Sequence, residues 1–217
     1  MGITNIFKKK KPQVMTRKII NLVEIDSTNH YLHDLQDDDT DITLVTTNHQ
    51  TAGQGQGTNT WESDAGKNLL FSIRIHPTMV PIASQFLLSE MGCLSLLDAL
   101  SPYLKEKAKD LKMKWPNDIY YGDKKLSGTL IETAIGQHGI KSCIFGVGID
   151  VNQEEFTSDA PNPISMKNIL GKDVNRKELM TRILDSFEKY YKMIVNGNYQ
   201  DIAALYLTNL YRKEGFH

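Results

Sequence analysis

The 217-residue chain carries 25 lysines and arginines against 26 aspartates and glutamates, a formal net charge of −1, and is 40% hydrophobic. That balance argues against a protein that coats nucleic acid through bulk positive potential, and the apolar fraction calls for a packed core in one sizeable domain. No apolar run reaches the length that would span a bilayer. Cys93 and Cys143 lie far apart in apolar surroundings, so they read as buried free thiols of a reducing compartment, not as a disulfide or a zinc site. A cytoplasmic location is the expectation.

The first residues, MGITNIFKKKKPQ, hold a lysine cluster at 8–11 with no apolar segment after it, unlike a secretory signal. Ile6 stands where a myristoylation motif wants Ser or Thr. Residues 1–16 are therefore expected to be a flexible basic arm. Lys18 to Glu24 is β-branched and apolar and reads as a strand. Asp26-Ser27-Thr28-Asn29 follows, then a helical face of Tyr31, Leu32 and Leu35. Ser27 or Thr28 suits a helix N-cap; the alternative is a set of N–H groups and hydroxyls that bind a polar ligand.

Ile42 to Thr46 is a second strand, and it runs into a long loop from Thr47 to Trp61. Three glycines there, Gly53, Gly55 and Gly57, alternate with glutamines, so the backbone can approach a ligand closely. The spacing is neither a Rossmann fingerprint nor a P-loop. Trp61 either anchors this loop or fills core. Lys67 to Ile75 reads as a strand, and Ile82 to Leu100 as a core helix that Pro102 ends.

Lys114 to Glu132 joins a polar tetrad, Trp115-Pro116-Asn117-Asp118, to a turn at Gly122-Asp123 and a lysine, Lys125. Gly-Asp between two β-rich runs predicts a hairpin that brings Asn117, Asp118 and Lys125 together. Such a set suits a phosphate-bearing ligand with a metal ion; the same charges also suit an ordinary surface hairpin. Ser142 to Val151 is a further strand, whose Gly146 and Gly148 suggest close approach by another backbone or a ligand. Asp150 and Asn152 end it, where an Asx turn is the alternative. Arg176–Val195 and Ile202–Leu210 have helical spacing.

Four blocks in this order resemble the catalytic domain of the biotin–protein ligases: Asp26-Ser27-Thr28-Asn29; the Gln50-Thr51-Ala52-Gly53 loop ending at Trp61; Lys114-Trp115-Pro116-Asn117-Asp118 with Lys125-Leu126-Ser127-Gly128; and Gly146 to Asp150. The resemblance covers residues 17–212. It implies an α+β fold, a mixed sheet flanked by helices, like class II aminoacyl-tRNA synthetases and lipoate ligases. It implies an ATP- and Mg²⁺-dependent enzyme that joins biotin to AMP, then passes it to a lysine of a biotin carboxyl carrier protein. Lys125 is implied as the catalytic residue. Biotin contacts are implied for Ser27, Thr28, Asn29, Gln50, Gly53 and Gln54. Gly55, Gln56, Trp61, Lys125, Gly128 and Gly148 complete that set. ATP contacts are implied for Gln56, Asn59, Trp61, Asn117, Asp118, Lys125 and Asp150, with Asp118 and Asp150 as metal ligands.

The chain departs from the family pattern in three places. Relatives read roughly Gly-Arg-Gly-Arg-Arg-Gly in the loop, whereas Gln54, Gln56 and Gly57 stand here, and glutamine brings no charge to a phosphate. Asp150 stands where Asn is usual. Relatives also continue into a small C-terminal β domain, of which residues 213–217 would be the start. No N-terminal helix-turn-helix is seen, so DNA binding is not expected; nor is a membrane partner, and a homodimer is compatible. Two other readings fit the same residues: a lipoate or octanoate ligase or transferase of the same fold, and a non-catalytic biotin- or nucleotide-binding module.

Overall fold

The computed structural model describes residues 14–137, 139–157 and 162–213. The lysine cluster at 8–11 and residues 214–217 lie outside the described residues. Strand β1 (Arg17–Ile25) leads through helix α1 (Thr28–Asp34) to β2 (Ile42–Gln50). Then come β3 (Leu69–Ile75), α2 (Phe86–Leu104), β4 (Leu111–Lys114), β5 (Asp118–Tyr121), β6 (Lys124–Gly136) and β7 (Gly139–Ile149). Helices α3 (Met166–Leu170), α4 (Arg176–Val195) and α5 (Tyr199–Thr208) close the described chain.

Among the described residues the strands form one seven-stranded sheet in the order β1-β2-β3-β7-β6-β5-β4. β1 and β2 pair in parallel and the other neighbours are antiparallel, so the sheet is mixed, as the α+β reading expects. A parallel pair needs a crossover, and α1 supplies it. The two faces are covered unequally. Helices α2, α4 and α5 bury one face in the main apolar core, where Phe145 of β7 meets Phe187 of α4 edge to face at 5.2 Å. On the other face α1 covers only a small cluster of Leu32, Val45 and Ile144. The rest of that face stays open beside β3, β7 and β6. No helix among the described residues is long and apolar enough to cross a membrane.

Several boundaries differ from the sequence reading. β2 continues to Gln50 because its pairing with β1 runs as far as Ile25 and Gln50. α2 starts at Phe86, after a 3-10 turn at Ile82–Ser84, and Pro102 lies inside it instead of ending it. The ring removes one ladder hydrogen bond near the C-terminus, and the helix runs on two residues past it to Leu104, with Leu100 and Leu104 buried. The last helix starts at Tyr199 rather than Ile202 and stops at Thr208. Ser27 occupies the N-cap position of α1 with extended backbone, yet its side chain makes no capping bond. The tetrad at 115–118 is itself a tight turn: β4 and β5 pair across Lys114 and Asp118, with a cis Trp115–Pro116 peptide between them. The expected hairpin at Gly122-Asp123 also forms, with Gly122 at φ 55° in the region that favours glycine. Cys93 and Cys143 are free and buried, and burial pushes both thiols well above their usual range.

Candidate active site

Side chains two apart on a strand share a face, and the register assembles the site from that rule. One row across the open face runs Thr47, Leu70, Gly148, Gly128, Asp118 over five strands. The next runs Val45, Ser72, Gly146, Leu130. The glycines leave a depression. A Cβ on Gly148 would stand 2.3 Å from Trp61 Cε2, and one on Gly146 would stand 2.2 Å from Asn29 Oδ1. The close approach read from these glycines is therefore real, and it comes from side chains, not from a second backbone. The depression opens as a cavity of about 280 Å³.

At one end α1 meets the end of β2. Gln50 Oε1 accepts from the Thr28 N–H at 2.8 Å and lies 2.9 Å from the Thr28 hydroxyl. The Ser72 hydroxyl is 2.7 Å from that of Thr28 and donates to Asn29 Oδ1 at 2.5 Å. Asn29 Nδ2 donates to Glu132 Oε2 at 2.5 Å, and His33 Nε2 lies 3.3 Å from the same oxygen. Ser27, Thr28, Asn29 and Ser72 are all buried.

At the other end Lys125 Nζ pairs with Asp118 Oδ2 at 2.8 Å. The backbone of Lys125 is held on both sides. β5 pairs with it through Tyr120, while its N–H donates to Asn162 O and its carbonyl accepts from Ile164 N–H. Gly128 makes room for its side chain, since a Cβ there would lie 3.0 Å from Lys125 Nζ and 3.0 Å from Trp61 Cζ3. Asn117 Nδ2 donates to the Thr129 carbonyl. The Trp61 indole lies across the two glycines of β6 and β7, and its Nε1 is buried with no partner among the described residues.

The loop between Gly53 and Trp61 is folded into a small arch. Gln54 bridges Thr60, Gly55 N–H donates to Asn59 O, and Trp61 N–H donates to Gly53 O. Gln54, Gly55, Gln56 and Asn59 face the cavity.

Of the residues expected here, Ser27, Thr28, Asn29, Gln50, Trp61 and Lys125 line the cavity, as do Asn117, Asp118, Gly128 and Gly148. Gly53 and Asp150 are not among the lining residues. Gly53 packs beneath the site, its Cβ position 3.1 Å from Gln50 Nε2 and from the Trp61 carbonyl. The Asp150 carboxylate is turned into a buried network. It accepts from Asn68 Nδ2 at 3.1 Å, and Asn68 in turn donates to Gln153 Oε1 at 2.8 Å. Burial, reinforced by the Glu62 carboxylate and opposed by Lys125, pushes its pKa up to about 8. Asp118 thus lines the cavity while Asp150 does not, and no group of three acidic, histidine or cysteine side chains suited to a metal exists among the described residues.

Sequence reasoning missed Ser72, Leu130 and Glu132. Alternation carried the signal: Leu70, Ser72 and Arg74 share one face of β3, as Gly128, Leu130 and Glu132 share one face of β6. A serine and an arginine on the same face of so apolar a strand mark a polar site.

Comparison with known proteins identifies relatives of this chain and of its fold. The model of the biotin/lipoate A/B protein ligase family matches residues 22–150. The bifunctional ligase/repressor BirA of Bacillus spizizenii is 28% identical over 204 residues, covering 90% of this chain and 60% of that protein. The biotin–[acetyl-CoA-carboxylase] ligase of Mycobacterium tuberculosis is 30% identical over 170 residues, covering 77% of this chain and 60% of that protein. The chain thus spans about 60% of the length of these curated relatives. The Aquifex aeolicus biotin protein ligase, solved with biotin and ATP, superposes with a TM-score of 0.76 at 27% identity, covering 89% of this chain and 78% of that one.

Proposed function

The chain belongs to the biotin/lipoate A/B protein ligase family, and from that premise we propose that it is an ATP-dependent biotin–protein ligase with residues 17–212 as its catalytic unit. In the first step a biotin carboxylate oxygen attacks the α-phosphorus of ATP. The bond to pyrophosphate breaks and biotinyl-5′-AMP forms. In the second, a lysine amine of a biotin carboxyl carrier protein attacks the acyl carbon, AMP leaves and an amide results.

The observation that carries this reading is the polarity of the cavity. One end has a hydroxyl and amide pair, Thr28 and Gln50, that matches a ureido ring's N–H donors and carbonyl acceptor. The other end has Lys125, a cation on a rigid strand. The floor between them is glycine and indole, suited to an apolar valeryl chain. Two anions must meet in the first step, and a fixed ammonium lowers the cost of bringing them together. Asp118 aligns that ammonium until the substrates take its place. The buried Trp61 Nε1 is a donor that a ligand oxygen would satisfy.

The cavity is slightly below the roughly 300–1,000 Å³ of small-ligand sites. A nucleotide beside the first ligand therefore requires the arch at residues 53–61 to shift, and its return would keep water from the mixed anhydride. Magnesium would arrive with the phosphates and supply charge neutralisation there. Asp118, the one acidic side chain among the lining residues, fits as its protein ligand, since Mg²⁺ is often held by one or two carboxylates plus phosphates. Asp150 does not fit, because its burial and its bond to Asn68 keep it off the wall.

Pyrophosphate release in the presence of ATP and Mg²⁺ tests the reading. Biotin is expected to support release, and lipoate and octanoate are not. Equal rates with all three, or no release with biotin, would sink it.

A further inference from the structure

We infer that Glu132, outside the cavity wall, is a specificity-determining positioning residue: through Asn29 and Ser72 it fixes Thr28 as a hydrogen-bond acceptor toward the ligand. The inference rests on the biotin reading above.

The argument is one of proton counting. A carboxylate only accepts, so Asn29 must turn its NH₂ to Glu132 Oε2 and its carbonyl to Ser72. That carbonyl only accepts, so the single Ser72 proton is committed to it. Ser72 then has none left for Thr28, 2.7 Å away. The Thr28 proton goes to Ser72 Oγ or to Gln50 Oε1, both within 2.9 Å. In either case Thr28 Oγ1 accepts nothing from the described residues, which leaves it able to accept from a ligand in the cavity it lines. Gln50 Oε1 is occupied by Thr28, which leaves both Nε2 protons to donate. The wall therefore presents an acceptor beside a donor, the complement of an N–H next to a C=O in a cyclic urea.

Without Glu132 the Asn29 amide is free to invert. Its NH₂ would then donate to Ser72, and Ser72 would donate to Thr28. One of the lone pairs meant for the ligand would be consumed inside the protein. Gly146 enforces the arrangement from below, since any Cβ would collide with Asn29. Glu132 reaches α1 because it shares a face of β6 with Gly128 and Leu130. Its second neighbour, His33, steadies it from the exposed side of α1.

The test measures KM for biotin and kcat for pyrophosphate release in Glu132→Ala, Thr28→Val and the double variant, with the thermal midpoint as a control for folding. Glu132→Ala is expected to raise KM for biotin about tenfold, the loss of one good hydrogen bond. KM for ATP and kcat should stay within about twofold on the same scale. Glu132→Gln, which keeps an acceptor for Asn29, should restore much of the loss. In the Thr28→Val background the Glu132→Ala effect should vanish, because the path runs through that hydroxyl. An unchanged KM in Glu132→Ala, or effects that add in the double variant, would overturn the inference while leaving the ligase reading intact. Failure of the wild-type chain to turn over biotin would instead overturn the ligase reading.

Discussion

The two faces of the sheet follow opposite rules. Beneath α2 and α4 the face is apolar and closed: Phe71, Ile73 and Phe145 are each 1% exposed and belong to one continuous core. On the α1 side the same strands present Ser72, Gly146, Gly148, Gly128 and Glu132, a glycine floor edged by polar groups. Alternation along β3, β7 and β6 therefore writes two messages into one strand. Odd neighbours hold the fold, and even ones leave room for chemistry. The site sits on paired strands whose other face is packed in the core, a support on which a constellation of donors and a cation can be held to fractions of an ångström.

This division can be attacked from either side. On the closed face, Phe145→Ala removes a ring packed on Phe187 and should cost roughly 3–5 kcal/mol of stability. Thermal unfolding would register it as a fall of roughly 6–20 °C, with turnover per folded molecule unchanged at a temperature where the variant remains native. On the open face, Lys125→Ala should do the reverse. Pyrophosphate release is expected to fall by a factor of about 10²–10³, the loss of a major charge-stabilising group, while the unfolding midpoint stays near wild type. Wild-type turnover in this variant would remove Lys125 from its role.

Asp150 sharpens the comparison, because it belongs to stability although its motif suggests the site. Its carboxyl is pushed up from 3.8 to about 8, chiefly by burial. The native state thus keeps a proton that the unfolded chain has already lost. This group's contribution is complete below about 3.8 and declines as the pH rises through about 8. The midpoint of the wild type should therefore drop across that range, and Asp150→Asn should flatten the drop, with a gain of about 2 kcal/mol at the alkaline end. A pH profile unchanged by the substitution would show that the buried carboxyl is not the cause. The smallest effect is expected in the arch. Gln54→Arg with Gln56→Arg should slow release of the adenylate by roughly three- to tenfold, the scale of one or two surface charge contacts, as read in a chase experiment with unlabelled biotin.

The helix from Arg176 to Val195 and the hairpin at Gly122 were legible because local periodicity and turn chemistry agree with the tertiary outcome there, whereas the mixed sheet was legible only through the family resemblance. The cavity residues of the four blocks were legible through their resemblance to a family, not through spacing alone. Ser72 and Glu132 were not, because a strand residue's face becomes meaningful only once its register against its neighbours is known. Gly53 and Asp150 were assigned to the wall for the same reason. A motif names residues that matter without saying which of them touch the ligand and which hold the ones that do. Pro102 misled in another way: a proline near a helix end costs a single bond, and buried leucines on either side outweigh it.

The tryptophan on the glycine floor has a practical consequence. The chain contains two tryptophans. Trp115 is 67% exposed on its turn, whereas Trp61 is half-buried, its indole nitrogen buried with no partner among the described residues. Their emission should differ in colour, and replacing Trp115 with phenylalanine would leave a protein whose remaining fluorescence comes from the floor alone. Occupancy of the cavity by any ligand could then be followed in a spectrometer without labels, from empty to full.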